Sequence, residues 1–428
     1  MFIMSNNFVR RNSGGMFNLL LNKLGHDTTS GQVMPGVDGL RALAVIMVVI
    51  FHIYGFGAGS PDVILFGILN LNPWLSTGHL GVELFFALSG FLLMIPWAKK
   101  NHAGLPPPQL RDYFKRRFYR IAPAYYVQLL FLFIVFAPVA IATWSLISPL
   151  GVFNVFTHLT FTHYLFPMTS AGLGINGALW TLTIEVCFYI TLPFVARFFV
   201  GKRALRALLI ALIVAEIWKY LSFHELYDVL VWTITAAIPQ MASYRYDPVV
   251  MKMFLANQFP SQLFNFAVGM YLANVYFKVS SAWRERLQGA WGGWALALLL
   301  VLFAYQAWLL FGLDAWQTGW IYVSSIFVAV VCAFLIFLAS FPNAFSQTIL
   351  ASPAVRLIGV ISYSVYLWHF PIIYFAKNFW ISDSLAGVDK FYSLLVICIS
   401  LTLVIGYLSY RYIELPFLNL VRGQHGKN

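Results

Sequence analysis

Long apolar runs, each bounded by charges or turn residues, alternate with short polar segments along almost the whole chain. A bilayer-crossing helix needs about 20 predominantly apolar residues. Runs of that order lie near residues 40–58, 76–98, 121–145, 177–199, 207–222, 261–278, 290–311, 318–340, 357–376 and 391–413. The pattern predicts an all-α integral membrane protein of about ten transmembrane helices.

The segments between the runs differ in kind. Residues 99–120 are basic and carry a rigid Pro106-Pro107-Pro108 turn, whereas residues 146–176 run into a flexible Gly172-Leu173-Gly174-Ile175-Asn176-Gly177 stretch. Residues 223–260 are aromatic and polar, and Pro239, Pro248 and Pro260 break them too often for a span. Phe17, Leu20, Leu21 and Leu24 have a spacing that allows either a short helix lying on the inner membrane face or a plain flexible tail; the polar residues among them, with no cleavage pattern after them, argue against a signal peptide. Met16 and Met34 are alternative start sites. Residues 1–34 read as a cytoplasmic tail, 35–417 as the membrane domain and 418–428 as a second cytoplasmic tail, and no repeat relates the two halves.

Composition agrees with this reading. The 428 residues are 60% hydrophobic and only 10% charged, against about 45–50% and about 25% in soluble domains. The net charge of +12 would point to nucleic acid in a soluble protein, but a membrane chain concentrates Lys and Arg in its cytoplasmic segments. With the N-terminus inside, Lys219, Arg245, Lys252, Lys377 and Lys390 fall outside and the remaining 22 of the 27 basic residues fall inside. Both termini are therefore expected in the cytoplasm, with no nucleic-acid partner. Cys187, Cys332 and Cys398 sit in apolar runs at unrelated spacings, which gives neither a disulfide framework nor a metal motif.

Ionisable side chains inside spans are expensive, and each is a functional candidate. They are His52, Glu83, Glu185, Glu216, His369 and, at the inner end of the last span, Glu414. His52, Glu83, Glu185 and His369 lie at a common expected depth of roughly 9–12 Å from the outer end of their spans. A single buried His is more often a hydrogen-bonded core residue than a catalyst. Four ionisable groups at one level make chemistry the better explanation.

Arg41 and His52 are 11 residues apart, so they share one helix face about 16 Å apart. An Arg at the inner interface suits an anionic head group, and His is the side chain suited to general-base work near neutrality. Arg116, Arg117 and Arg120 add to a candidate phosphate-binding cluster, and each also serves the inner-side charge bias.

These residues resemble the membrane-bound acyltransferase 3 family. The Asp38-Gly39-Leu40-Arg41-Ala42 segment followed by His52 is similar to its Arg-x10-His signature, and Gly81-Val82-Glu83-Leu84-Phe85-Phe86-Ala87-Leu88-Ser89-Gly90-Phe91-Leu92 to its second-span motif. Arg116-Arg117-Phe118-Tyr119-Arg120-Ile121-Ala122-Pro123 resembles the basic opening of the third span. Trp180-Thr181-Leu182-Thr183-Ile184-Glu185 resembles the Trp-Ser-Leu…Glu segment, with Thr181 in place of the usual Ser. Ser362-Tyr363-Ser364-Val365-Tyr366-Leu367-Trp368-His369-Phe370-Pro371 and Glu414-Leu415-Pro416-Phe417 complete the series in order.

The resemblance implies an O-acyltransferase that moves an acyl group, most commonly acetyl from acetyl-CoA, onto a hydroxyl of a glycan, lipid-linked sugar or other acceptor. It implies a multi-pass protein of the bacterial cytoplasmic membrane, with acyl-CoA as donor substrate and no permanently bound cofactor or metal. His52 would act as base or carry the acyl group, with Glu185 or Glu83 orienting it. Arg41, Arg116, Arg117, Arg120, Ser89, Tyr363 and His369 would bind substrate. Many members carry a soluble domain of the SGNH hydrolase type after the last span; the sequence here runs 11 residues past Phe417. The alternative is a secondary transporter that uses the same His and Glu residues as a proton or substrate path, against which stands the lack of a repeat.

Overall fold

The computed structural model describes residues 17, 21, 34–141, 145–170, 176–229, 248–312, 320–382 and 384–422. Most of the amphipathic stretch near the N-terminus, most of the Gly172–Gly177 segment, Arg245 and Lys427 lie outside the described residues.

Among the described residues ten helices have 14 or more residues: α1 Pro35–His52, α2 Leu80–His102, α3 Leu110–Phe131, α4 Trp180–Val195, α5 Ala204–His224, α6 Phe259–Tyr276, α7 Ala290–Gly312, α8 Trp320–Ala339, α9 Ser362–Phe375 and α10 Gly387–Ser409. Each of the ten apolar runs holds one. The described strands are the two-residue pair β1 Ile64–Leu65 and β2 Leu69–Asn70. Six helical segments are long and apolar enough to cross a membrane, or seven when a bent pair counts as one span, so the chain is a multi-pass membrane protein.

The helices depart from the hydropathy runs in instructive ways. α3 starts at Leu110, 11 residues before the apolar run, because Arg and Lys are good helix formers and charge limits membrane burial rather than helicity. The ninth run is broken: helix Pro353–Val360 meets Ser362–Trp380 at 73°, with Ile361 at ψ 4° between them. α5 carries Arg206, Glu216 and Lys219 and is a helix of full length without the uniform apolarity of a span. Part of the 146–176 segment is also helical, over Pro149–Leu159.

α2 is the axis of the bundle and packs against α1, α6 and α8. Its contact with α6 is the closest: a Cβ at Gly90 would lie 2.0 Å from the Phe266 carbonyl oxygen, and one at Gly269 would lie 2.1 Å from that of Ala87. Small residues let membrane helices approach until dispersion and backbone contacts hold them together, which replaces the hydrophobic drive that lipid removes. α9 packs on α10 and on α1. The helix Pro353–Val360 lies along the start of α1, where Arg356 Nε is 3.9 Å from the buried Asp38 carboxylate. These contacts bring His52 on α1 against α9.

Candidate active site

His52 is the last α-helical residue of α1, and a π-helical turn, Ile53–Gly57, follows it. Such turns recur at functional sites because they re-aim side chains. His52 Nδ1 is 2.9 Å from the Val48 carbonyl oxygen and 3.1 Å from His369 Nε2. His369 is completely buried on α9, and its Nδ1 is 2.6 Å from the Tyr366 carbonyl oxygen.

These partners determine the tautomers. A carbonyl only accepts, so His369 Nδ1 carries hydrogen, and in the neutral ring its Nε2 is then the acceptor. His52 Nδ1 faces a carbonyl and that lone pair, so it also carries hydrogen and donates. The unprotonated nitrogen of His52 is Nε2. The arrangement is a chain of two imidazoles ending on a backbone carbonyl, in which the second ring orients the first, the part a carboxylate plays in a Ser-His-Asp triad. Among the described residues no hydrogen bond joins His52 to Glu185 or Glu83, the two carboxylates expected to orient it.

A cavity of about 110 Å³ is lined by Arg41, Arg117 and Arg120 together with Ser89, Glu185 and Tyr363, and by neither histidine of the pair. Tyr366, one helical turn before His369, forms part of its wall; the two rings are 5.4 Å apart. Glu185 Oε1 accepts from Tyr189 OH at 2.6 Å and from Ser89 Oγ at 3.3 Å. Arg120 Nη1 donates to the buried Glu414 Oε2 at 2.7 Å, and Ser364 Oγ donates to Glu414 Oε1. Arg117 is nearly buried, with its Nε unpartnered and its guanidinium 5.9 Å from the Tyr189 ring centre. Tyr363 OH donates to the Ile121 carbonyl oxygen at 2.9 Å, and Thr181 Oγ1 donates to Tyr366 OH at 2.8 Å, so Thr181 supplies the hydroxyl of the Ser it replaces.

Two expected site residues stand elsewhere. Arg116 is not among the cavity's lining residues, although it lies only about 40° round the helix from Arg120, which is. Glu83 borders a second, more polar cavity of about 310 Å³ with His79 and Lys219. Glu216 forms a structural pair, accepting from Lys219 Nζ at 2.8 Å; Lys219, which the charge pattern sets outside, is 8% exposed within the bundle and also donates to Ser325 Oγ at 2.5 Å. His79, Lys219 and the amides of α6 escaped the sequence reading, although Ser261, Gln262 and Asn265 recur at helical spacing in an apolar run. His158 and His163, stacked at 4.2 Å, bond to the carbonyls of Asn154 and Leu179 and brace the segment before α4.

A protein-family model described as an acyltransferase domain matches residues 34–411, most of the chain. The chain belongs to that acyltransferase family. The matched stretch holds both histidines and both cavities' polar walls, and Glu414 follows three residues beyond it. Relatives include the "O-acetyltransferase OatA" of Staphylococcus aureus strain NCTC 8325, 24% identical over 393 residues. A second, in Staphylococcus aureus strain MSSA476, bears the name "Putative O-acetyltransferase SAS0844" and is 25% identical over 406 residues. Each alignment covers 90% of this chain but 57% of the relative, so the acyltransferase chain spans little more than half the length of these relatives. No solved structure matches it.

Proposed function

We propose that this family member is a membrane-embedded O-acyltransferase that moves an acyl group, acetyl by kinship with the named relatives, from acyl-CoA to an acceptor hydroxyl. The observation that carries the reading is the hydrogen-bonded His52–His369 pair, next to Tyr366 in the wall of a cavity lined by three arginines. The charge bias sets that cavity on the cytoplasmic side, where acyl-CoA is available. Arg41 and Arg117 hold the donor phosphates, since guanidinium groups match phosphate oxygens bidentately. The pantetheine arm runs along the α1 face, about 16 Å long from Arg41 to His52, and brings the thioester to the imidazole.

His52 Nε2 then takes the proton of the acceptor hydroxyl as its oxygen attacks the thioester carbonyl. The C–S bond breaks, and the imidazolium returns the proton to the CoA sulfur. Positive charge on His52 turns its Nδ1–H···Nε2 contact into a charge-assisted hydrogen bond, roughly twice as strong as a neutral one.

Purified protein in lipid nanodiscs, supplied with acetyl-labelled CoA and candidate hydroxyl acceptors, tests the reading. Label should appear as an ester on an acceptor, with stoichiometric free CoA thiol. Label that stays on CoA, or substrate that crosses a reconstituted membrane unmodified, would overturn acyl transfer and favour transport.

A further inference from the structure

The two helices that carry the histidines end alike. After His52, α1 passes into the π-helical turn Ile53–Gly57, and after Phe375, α9 passes into a second such turn, Ala376–Trp380. The first turn packs on α9 and α10: a Cβ at Gly57 would lie 3.1 Å from Leu394 Cδ1 and 3.3 Å from Ile373 Cγ2. The last carbonyls of a helix have no partner within it. Here those of Ile53, Tyr54 and Gly55 accept from the backbone of Ala58, Ser60 and Gly59, and that of Phe56 accepts from Lys377 Nζ at 2.9 Å.

The same ammonium lies 4.9 Å from the centre of the Phe56 ring. That ring stacks on Phe370 at 4.5 Å, and Phe370 meets the His52 ring edge-on at 5.8 Å. Lys377 therefore grips the turn after His52 twice, by its carbonyl and by its aromatic ring, and the stack that it starts ends on His52 itself.

A cap that served stability alone could come from any neighbouring element. This one crosses from the helix of His369 to the helix of His52. The bond between the two rings joins neutral groups and is the weaker kind, whereas an ammonium donating to a carbonyl makes a charge-assisted one. His52 begins the turn, so a change in the turn's winding would rotate its ring away from His369. We infer that Lys377 is a positioning residue of the acyltransferase: by latching the turn after His52 to α9, it holds the His52 ring against His369. Its part in catalysis rests on the acyl-transfer reading; its hold on the two rings does not. Donor phosphates at Arg41, about 16 Å away along α1, should not sense it.

Initial rates in nanodiscs test this with Lys377→Met, which keeps the stem over the Phe56 ring and loses the charge. Its kcat should fall about 10- to 100-fold, the cost of a slightly displaced catalytic group, with the KM for acetyl-CoA within about twofold of wild type. In a His52→Ala background Lys377→Met should change the residual rate by less than about twofold, because the two residues act as one unit. In ¹⁵N-histidine spectra Lys377→Met should move the His52 and His369 signals and leave those of His158 and His163 in place. A wild-type kcat in Lys377→Met, an equal loss in the His52→Ala background, or unmoved His52 signals would each overturn the inference. Should Lys377→Met not fold, Phe56→Leu, which removes the ring between the ammonium and Phe370, is held to the same outcomes. Should the wild type transfer no acetyl group, the acyl-transfer reading falls and the spectra alone decide the latch.

Discussion

His52 Nδ1 and His369 Nε2 lie 3.1 Å apart although 317 positions separate the two residues in the chain. The contact joins α1 to α9 and frees His52 Nε2 for proton transfer, because both Nδ1 atoms are committed to donating. On the acyl-transfer reading, His369 is a positioning residue that holds the tautomer and orientation of its neighbour.

Removal of the base should lower transfer by about 10²–10⁴-fold in His52→Ala. His369→Ala should lose less, and the double variant should be no slower than His52→Ala alone, because residues acting as one unit are not additive. Initial rates of ester formation measure all three. Multiplicative losses in the double variant would mean that the two rings act separately.

Arg41→Ala and Arg117→Ala should raise the KM for acyl-CoA about tenfold or more, with a smaller change in kcat, since phosphate contacts bind ground and transition states alike. Higher salt should weaken donor binding by the wild type more than by either variant. A lower kcat at unchanged KM would assign the arginines to chemistry instead.

Glu414 is fully buried and paired with Arg120, which is itself 14% exposed. Glu414→Ala removes the buried carboxylate to which Arg120 Nη1 and Ser364 Oγ donate and should cost about 3–5 kcal/mol. Glu216→Ala breaks a pair whose side chains alone are 11% and 21% exposed, so its effect should be smaller. Unfolding midpoints in detergent compare the two; equal shifts would contradict the ranking by burial.

A Cβ at Gly90 would meet the Phe266 carbonyl oxygen at 2.0 Å, backbone against backbone, so Gly90→Val should separate α2 from α6 and yield no monodisperse protein. Gly177→Ala, whose Cβ would sit 3.6 Å from Phe370, should be tolerated. Size-exclusion profiles decide, and a well-behaved Gly90→Val protein would show that the helices can part without loss of the fold.

Much of the fold was legible because membrane burial is a one-dimensional constraint. About 20 apolar residues must follow one another to cross a bilayer, and a helix occupies each of the ten runs. The bend at Ile361 and the early start of α3 escaped that reading, since hydropathy reports what lipid tolerates and not where backbone torsions change. Arg41 and His52 were legible as a pair because they share one helix, where a spacing of 11 residues determines their relative direction.

Residues on different helices are another matter. Expected depth set His52, His369, Glu83 and Glu185 at one level, but depth along a helix says nothing about rotation around it. The packing of α1, α2, α4 and α9 turns His369 to His52, Glu185 to the arginines and Glu83 to the second cavity. The order of residues therefore specified a membrane acyltransferase fold with an Arg–His helix face. Only tertiary packing, through close glycine contacts that fix helix rotation, decided which ring meets His52 and which carboxylate oxygen is left unpaired.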